Sequence, residues 1–221
     1  MSRLRPVVAI VVGFGAGAVP FSNLMARWWT GVDLRSVGNG TVSGTALWQV
    51  AGKGPLVAVG LCELAKGAVG PALAGRSRPV AAALAGAAAV AGHNWSPFLG
   101  GAGGRGISPA MGSLLMTAPA GSAVLIAGLA GGRLIGETAL GSLLADLVLL
   151  PVAARAHGRR GLVAASAVLV PMLAKRLMGN AGAVERSPSL YVNRLLFDRD
   201  TRAKEVRGRL RAGRDEREAA N

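Results

Sequence analysis

Residues 92–106 read GHNWSPFLGGAGGRG: six glycines, one histidine and one arginine set between two apolar runs. A bare, basic loop in that position needs a reason, and the rest of the chain supplies its context. The 221 residues are 51% hydrophobic and only 16% charged, with mean hydropathy +0.42. A water-soluble domain usually carries about 25% charged residues, so much of this surface faces something other than water. Long Val/Leu/Ala runs exclude a glycine-rich disordered chain. The expectation is an all-α, polytopic transmembrane bundle with short, broken helices.

Working outward, apolar segments cover 7–29, 55–73, 80–91, 107–131, 134–154 and 161–178. Trp28 and Trp29 end the first at an interfacial position. Pro119 divides the segment 107–131. If it separates two short helices the count is seven, and 30–54, 92–106 and the C-terminal tail then share one side. That side holds Arg27, Arg35, Lys53, Arg105 and twelve Lys/Arg from Lys175 onward, which makes it cytoplasmic by the positive-inside rule. Arg3, Arg5, Arg155, Arg159 and Arg160 oppose that assignment. The reading is seven spans in the plasma (inner) membrane, a transmembrane domain over 1–180 and a charged cytoplasmic tail over 181–221. The stretch 200–218 reads as a solvated helix.

Charge is unevenly distributed. Residues 1–180 hold 15 Lys/Arg against four acids, which is +11 of the net +14. Topology and anionic headgroups explain part of this; a site for a phosphorylated ligand explains the rest. Aromatic residues at 4% and the absence of nucleic-acid-binding motifs argue against a nucleic-acid partner. Cys62 is alone in an apolar run, and His93 and His157 are far apart, so neither a disulfide framework nor a metal site is expected. GFGAGA (13–18) with Asp33 mimics a dinucleotide fingerprint, but no βαβ pattern follows it. The basic, apolar start mimics a signal peptide, yet the apolar run continues to Ala26, which favours an uncleaved first span.

Two loops carry chemistry. In 31–54, Arg35 precedes Gly38, Gly40 and the hydroxyls of Thr41, Ser43 and Thr45. In 92–106, Gly103, Gly104, Arg105 and Gly106 precede a helix start at Ile107. Glycines free backbone N–H groups for an anion, and a helix N-terminus favours one. Lys53 is followed by Gly54, not by a hydroxyl, so nucleotide hydrolysis is not indicated. Within the second span Glu63 and Lys66 share a face, either as a functional pair or as mutual neutralisation. Asp146 stands alone among leucines and calls for an arginine on a neighbouring helix.

These residues resemble the bacterial membrane acyltransferases that make lysophosphatidic acid from acyl phosphate and glycerol 3-phosphate. DLRSVGNGTVSGT (33–45) resembles the family's D-x-R-x-x-G-S-G-N loop. ELAKG (63–67) resembles its acid-x-x-Lys-Gly, and the opening stretch its G-H-x-x-P-x-F…G-G-K-G, with Arg105 in place of lysine. NRLLFDRD (193–200) resembles R-L-L-x-G-x-E. The sequence departs at Asn39, Thr41, Ala46, Ala102, Pro188 and Tyr191, where the family carries other polar residues. The resemblance implies Arg35, Arg105 and Arg194 as catalytic cations. Substrate would be held by Gly38, Gly40, Thr41, Ser43, Thr45, Lys66, His93, Gly103, Gly104, Gly106, Ser142, Asn193 and Asp200. His93 serves either as a base or as a hydrogen bond that pins the loop. No cofactor is implied, and the partners are the two substrates and membrane lipids. The rival readings are a related enzyme for another phosphorylated substrate, or a non-catalytic or transport protein that retains an anion site.

Overall fold

A computed structural model describes residues 4–180 and 187–200; most of the tail expected as a solvated helix therefore lies outside the described residues. These residues form helices joined by loops, with no strand among them, so the dinucleotide reading of 13–18 has no support. The helices are α1 (Arg5–Ala18), α2 (Phe21–Thr30), α3 (Gly44–Ala51), α4 (Lys53–Ala74), α5 (Pro79–Asn94), α6 (Ile107–Thr117), α7 (Pro119–Leu134), α8 (Thr138–Met178) and α9 (Pro188–Phe197).

Prolines and glycines set the breaks. The first apolar segment is divided where Val19 is extended and Pro20 leaves helical geometry, so α2 leads off separately from α1. Ala118, just before Pro119, also leaves helical geometry, since a following proline disfavours the α region. The chain reverses there: Gly121 packs near Leu114, and the Ala120 N–H donates to His157 Nε2 at 3.2 Å. Helix α8 reverses as well. Gly158, at φ 59°, adopts a left-handed turn that side chains disfavour and separates arms 138–157 and 159–178. Arg176 consequently reaches Ser142 at 3.0 Å, a contact that a straight helix of that length, at about 1.5 Å per residue, could not make.

The reversals give seven passes between two ends. One end gathers 31–54, 92–106, the α7–α8 turn and α9; the other gathers the start of α1, the α4–α5 turn, the α6–α7 turn and Gly158. Three segments have the length and composition to cross a membrane: Arg5–Thr30, Lys53–Ala74 and Thr138–Met178. Val7, Val11, Leu61, Leu84, Leu147 and Val170 are exposed on the outer wall, the surface a hydrocarbon solvent would cover. Small residues let the helices approach: Gly67 faces the Pro109 backbone and Gly112 that of Leu64, so α4 and α6 meet at backbone distance. Val90, Leu114, Leu125, Leu149 and Val168 fill the centre.

A second apolar cluster, Leu34, Val42, Leu47, Val59 and Leu99, lies under the loops and orders them. Residues 30–54 are thus not wholly loop. Ser43 accepts from the Ala46 N–H at 3.3 Å, capping α3, and Arg133 of α7 stacks on Trp48 with 3.7 Å to the ring centroid.

Candidate functional site

The loops meet at one end through a few backbone bonds. The Val42 N–H donates to the Gly103 carbonyl at 3.1 Å, joining 31–54 to 92–106. Asn180, just beyond α8, ties both. Its Nδ2 donates to the carbonyls of Gly103 (2.7 Å) and Gly40 (3.2 Å), and its Oδ1 accepts from the Gly103 N–H at 3.3 Å. The C-terminal segment joins through Asn39, whose Nδ2 donates to the Asp198 carbonyl at 2.7 Å. Three segments far apart in sequence therefore form one surface.

Below that surface lies a narrow crevice lined by Val19, Pro20, Val42, Glu63, Lys66 and His93, among others. Lys66 Nζ sits 2.7 Å from Glu63 Oε2 and 2.9 Å from His93 Nδ1, and donates to the Val19 carbonyl at 2.9 Å. Glu63 Oε1 accepts from the Ser22 hydroxyl and N–H at 2.9 and 3.2 Å, and its other oxygen is 3.3 Å from His93 Nδ1. The i, i+3 pair is thus a real ion pair, extended by a histidine from α5. His93 Nε2 lies against Gly104, where a Cβ would collide with the ring.

At the rim, Arg35 grips Asp33 with Nη2 at 2.7 Å and Nε at 3.1 Å from the carboxylate oxygens, and reaches the Leu99 carbonyl at 3.5 Å. The hydrogen bonds from Arg35 hold the Asp33 carboxyl down to about 2. Gly38 and Gly40 turn the backbone here. Thr41 is buried, with its hydroxyl oxygen unpartnered; Thr45 is half-buried in the first turn of α3. Ser43 acts as the α3 cap, so its oxygen has a partner already.

On the other side of Gly103, Arg105 is 9% exposed, and its Nε is 2.6 Å from Asp198 Oδ1 while Nη1 is buried without a partner among the described residues. Gly106 starts α6 with no side-chain cap. The N–H groups expected to cradle an anion have internal partners instead. Gly103 donates to Asn180, and Gly104 donates to the His93 carbonyl at 3.3 Å. Both glycines serve by smallness, because a Cβ on either would meet His93 or Asn94. The donors left for a ligand are the Arg105 guanidinium and the first turn of α6.

Lys175 donates to the Gly101 carbonyl at 3.2 Å. Arg176, in the sequence only one of the twelve basic residues from Lys175 onward, donates to Ser142 and to the carbonyls of Ala139 and Arg194, and stands 3.8 Å from Asp146. It is the arginine that Asp146 called for. Ser142 is thereby an acceptor for Arg176 and a donor to Ala139.

Arg194, expected among the catalytic cations, fastens the end of α8. Its Nε is 2.6 Å from Asp200 Oδ1, and its Nη1 donates to the carbonyls of Leu177 (2.7 Å) and Met178 (2.8 Å), closing the end of α8. Asp200, expected to hold substrate, shares that task through Oδ1. Asn193, half-buried on α9, accepts at its carbonyl from the Arg199 N–H at 3.5 Å. Asn180 and Asp198 escaped the sequence reading, since nothing local marks them.

A family model described as glycerol-3-phosphate acyltransferase matches residues 7–182. Glycerol-3-phosphate acyltransferase 5 of Dehalococcoides mccartyi is 30% identical over 90% of this chain and 91% of that protein. The glycerol-3-phosphate acyltransferase of Myxococcus xanthus is 39% identical over half of this chain and 59% of its own length. The crystal structure of PlsY (YgiH), an integral membrane glycerol 3-phosphate acyltransferase, in its glycerol 3-phosphate form, superposes with a TM-score of 0.72 at 23% identity, covering 89% of this chain and 94% of that one. That likeness carries the fold, and the sequence matches carry the kinship: this chain belongs to the glycerol-3-phosphate acyltransferase family.

Proposed function

We propose that this membrane protein transfers an acyl group from acyl phosphate to glycerol 3-phosphate, giving lysophosphatidic acid and inorganic phosphate. The observation that carries the reading is the meeting of three separate segments around Arg105, whose buried Nη1 has no partner among the described residues, at one end of an apolar bundle. Acyl phosphate is already activated, since its leaving group is phosphate. The acceptor hydroxyl oxygen bonds to the acyl carbon as the bond from that carbon to the phosphate oxygen breaks. The protein's task is then to hold two anions together and offset charge that develops on the leaving group. Arg105 and Arg35 are the cations for that task, and Lys66 with His93 forms the floor beneath them. Membership of the family and the crevice beside exposed apolar helix walls support an acyl chain lying among the spans.

We assign all seven passes as membrane crossings, with the loop end cytoplasmic. Arg27, Arg35, Lys53, Arg105 and the basic tail support that orientation. In a Cys62→Ser background, Ser36→Cys and Ser187→Cys should label from one side and Ser77→Cys from the other.

Pro188 and Tyr191, standing where the family carries other polar residues, favour a second reading in which the acceptor is a different phosphorylated alcohol. Purified protein given acyl phosphate and labelled glycerol 3-phosphate tests the pair. Time-dependent lysophosphatidic acid supports the first reading; turnover only with another phosphorylated alcohol supports the second; no turnover with either overturns both.

A further inference from the structure

Asp198 is the only non-glycine residue with positive φ among the described residues, at 51°. It closes α9 in the left-handed position where helices usually place glycine, and it falls at the glycine of the R-L-L-x-G-x-E pattern that 194–200 resembles. Asp tolerates this conformation better than larger side chains do, but a carboxylate is not needed to make the turn. What the carboxylate does is reach into the site: Oδ1 lies 2.6 Å from Arg105 Nε. Asn39 fixes the same residue from the other loop, through its main-chain carbonyl. Burial pushes the Asp198 carboxyl above its usual range, against the pull of Arg105 and Arg176, while Asp200 pushes in the same direction as burial.

The pairing is incomplete in an informative way. A guanidinium fork satisfies a carboxylate or a phosphate best with two parallel N–H bonds. Asp198 takes Nε, and Nη1 remains buried without a partner among the described residues. Nε–H and the neighbouring Nη2–H form one fork-shaped edge of the guanidinium, and a phosphate that takes this edge with two oxygens needs the Nε that Asp198 holds.

Resting on the reading of Arg105 as a phosphate ligand, we infer that Asp198 is a built-in competitor, a tethered carboxylate that holds Arg105 when phosphate is absent and opposes phosphate when it binds. Phosphate must displace this carboxylate to gain the fork, so the site binds it more weakly than an unopposed arginine would. The same competition aids product release, because inorganic phosphate left after acyl transfer is displaced when Asp198 returns to Arg105. Asp198 is thus a positioning residue that acts through Arg105.

Inorganic phosphate binding to the full-length purified protein, by calorimetry at fixed pH and salt, tests this. Asp198→Asn keeps the turn and removes the charge; Asp198→Gly keeps the turn and removes the side chain. Both should bind phosphate about tenfold more tightly, a gain that loss of structure cannot produce. In Arg105→Ala/Asp198→Asn the gain should vanish. If Arg105→Ala alone weakens binding while both Asp198 variants match or fall below the parent, the competitor is refuted and the phosphate loop stands. If Arg105→Ala binds as the parent does, the phosphate-loop reading fails and the competitor falls with it.

Discussion

Two ion-pair clusters lie close together in this protein and are built in opposite ways. Glu63, Lys66 and His93 sit on two regular helices, and each is held by further protein groups: Ser22 for the acid, the Val19 carbonyl for the amine. Arg105 and Asp198 come from a glycine loop and a helix cap 93 residues apart, and Arg105 Nη1 has no partner among the described residues. In the first cluster Lys66 Nζ lies within 2.9 Å of three acceptors, so its removal should be felt as lost stability. The second has capacity left over, so its removal should be felt in binding. A buried charge pair in a membrane bundle can thus be a fastener or a grip, and the count of remaining donors distinguishes them.

Breaking the first cluster is expected to have the largest effect. Lys66→Met leaves Glu63 as a buried, uncompensated charge, which typically costs about 3–5 kcal/mol. Thermal melts in detergent should show a large fall, and Glu63→Leu/Lys66→Met should recover much of it. A melt unchanged in Lys66→Met would mean that the pair is not a fastener.

Asn180→Ala sharpens the comparison from between the clusters. It removes three hydrogen bonds that brace Gly40 and Gly103, each worth about 1 kcal/mol net. Hydrogen exchange at Gly103, whose N–H donates to Asn180, should accelerate, with the bundle helices unaffected. Acceleration spread evenly through the bundle would instead mean that Asn180 supports the whole fold.

A smaller effect is expected at the rim. Asp33 is held down to about 2 by Arg35, so its pairing contributes stability above the ordinary carboxylate range and loses it as pH falls toward 2. The partial exposure of both side chains makes the contribution small. Asp33→Asn should lower the melt slightly near neutral pH and abolish its fall between the ordinary carboxylate range and pH 2.

Which parts were legible follows from distance along the chain. Pro119, the break near 155–160 and the Glu63–Lys66 spacing are local signals, and each corresponds to a turn or a pair in the structure. The break at Val19–Pro20 was hidden because apolar sequence runs straight through it, and α3 was hidden inside a stretch rich in turn residues. His93 joining Glu63, Arg176 answering Asp146 and Asn180 bracing two loops all depend on how helices reverse and pack. No periodicity records that. Arg194 shows the converse: a motif position implies a chemical role, and only the packing shows that its donors reach the open carbonyls at the end of α8.

The account rests most heavily on Arg105 as the phosphate grip, and steady-state kinetics with acyl phosphate and labelled glycerol 3-phosphate test it most directly. A charge-assisted hydrogen bond of roughly 1.5–3 kcal/mol predicts that Arg105→Ala loses about ten- to a hundredfold in kcat/KM. Arg105→Lys should keep part of it, since the charge remains and the fork is lost. Smaller falls in melting temperature than in Lys66→Met should accompany both, because Asp198 is more exposed than Glu63. Parent-like kcat/KM in Arg105→Ala would contradict the account.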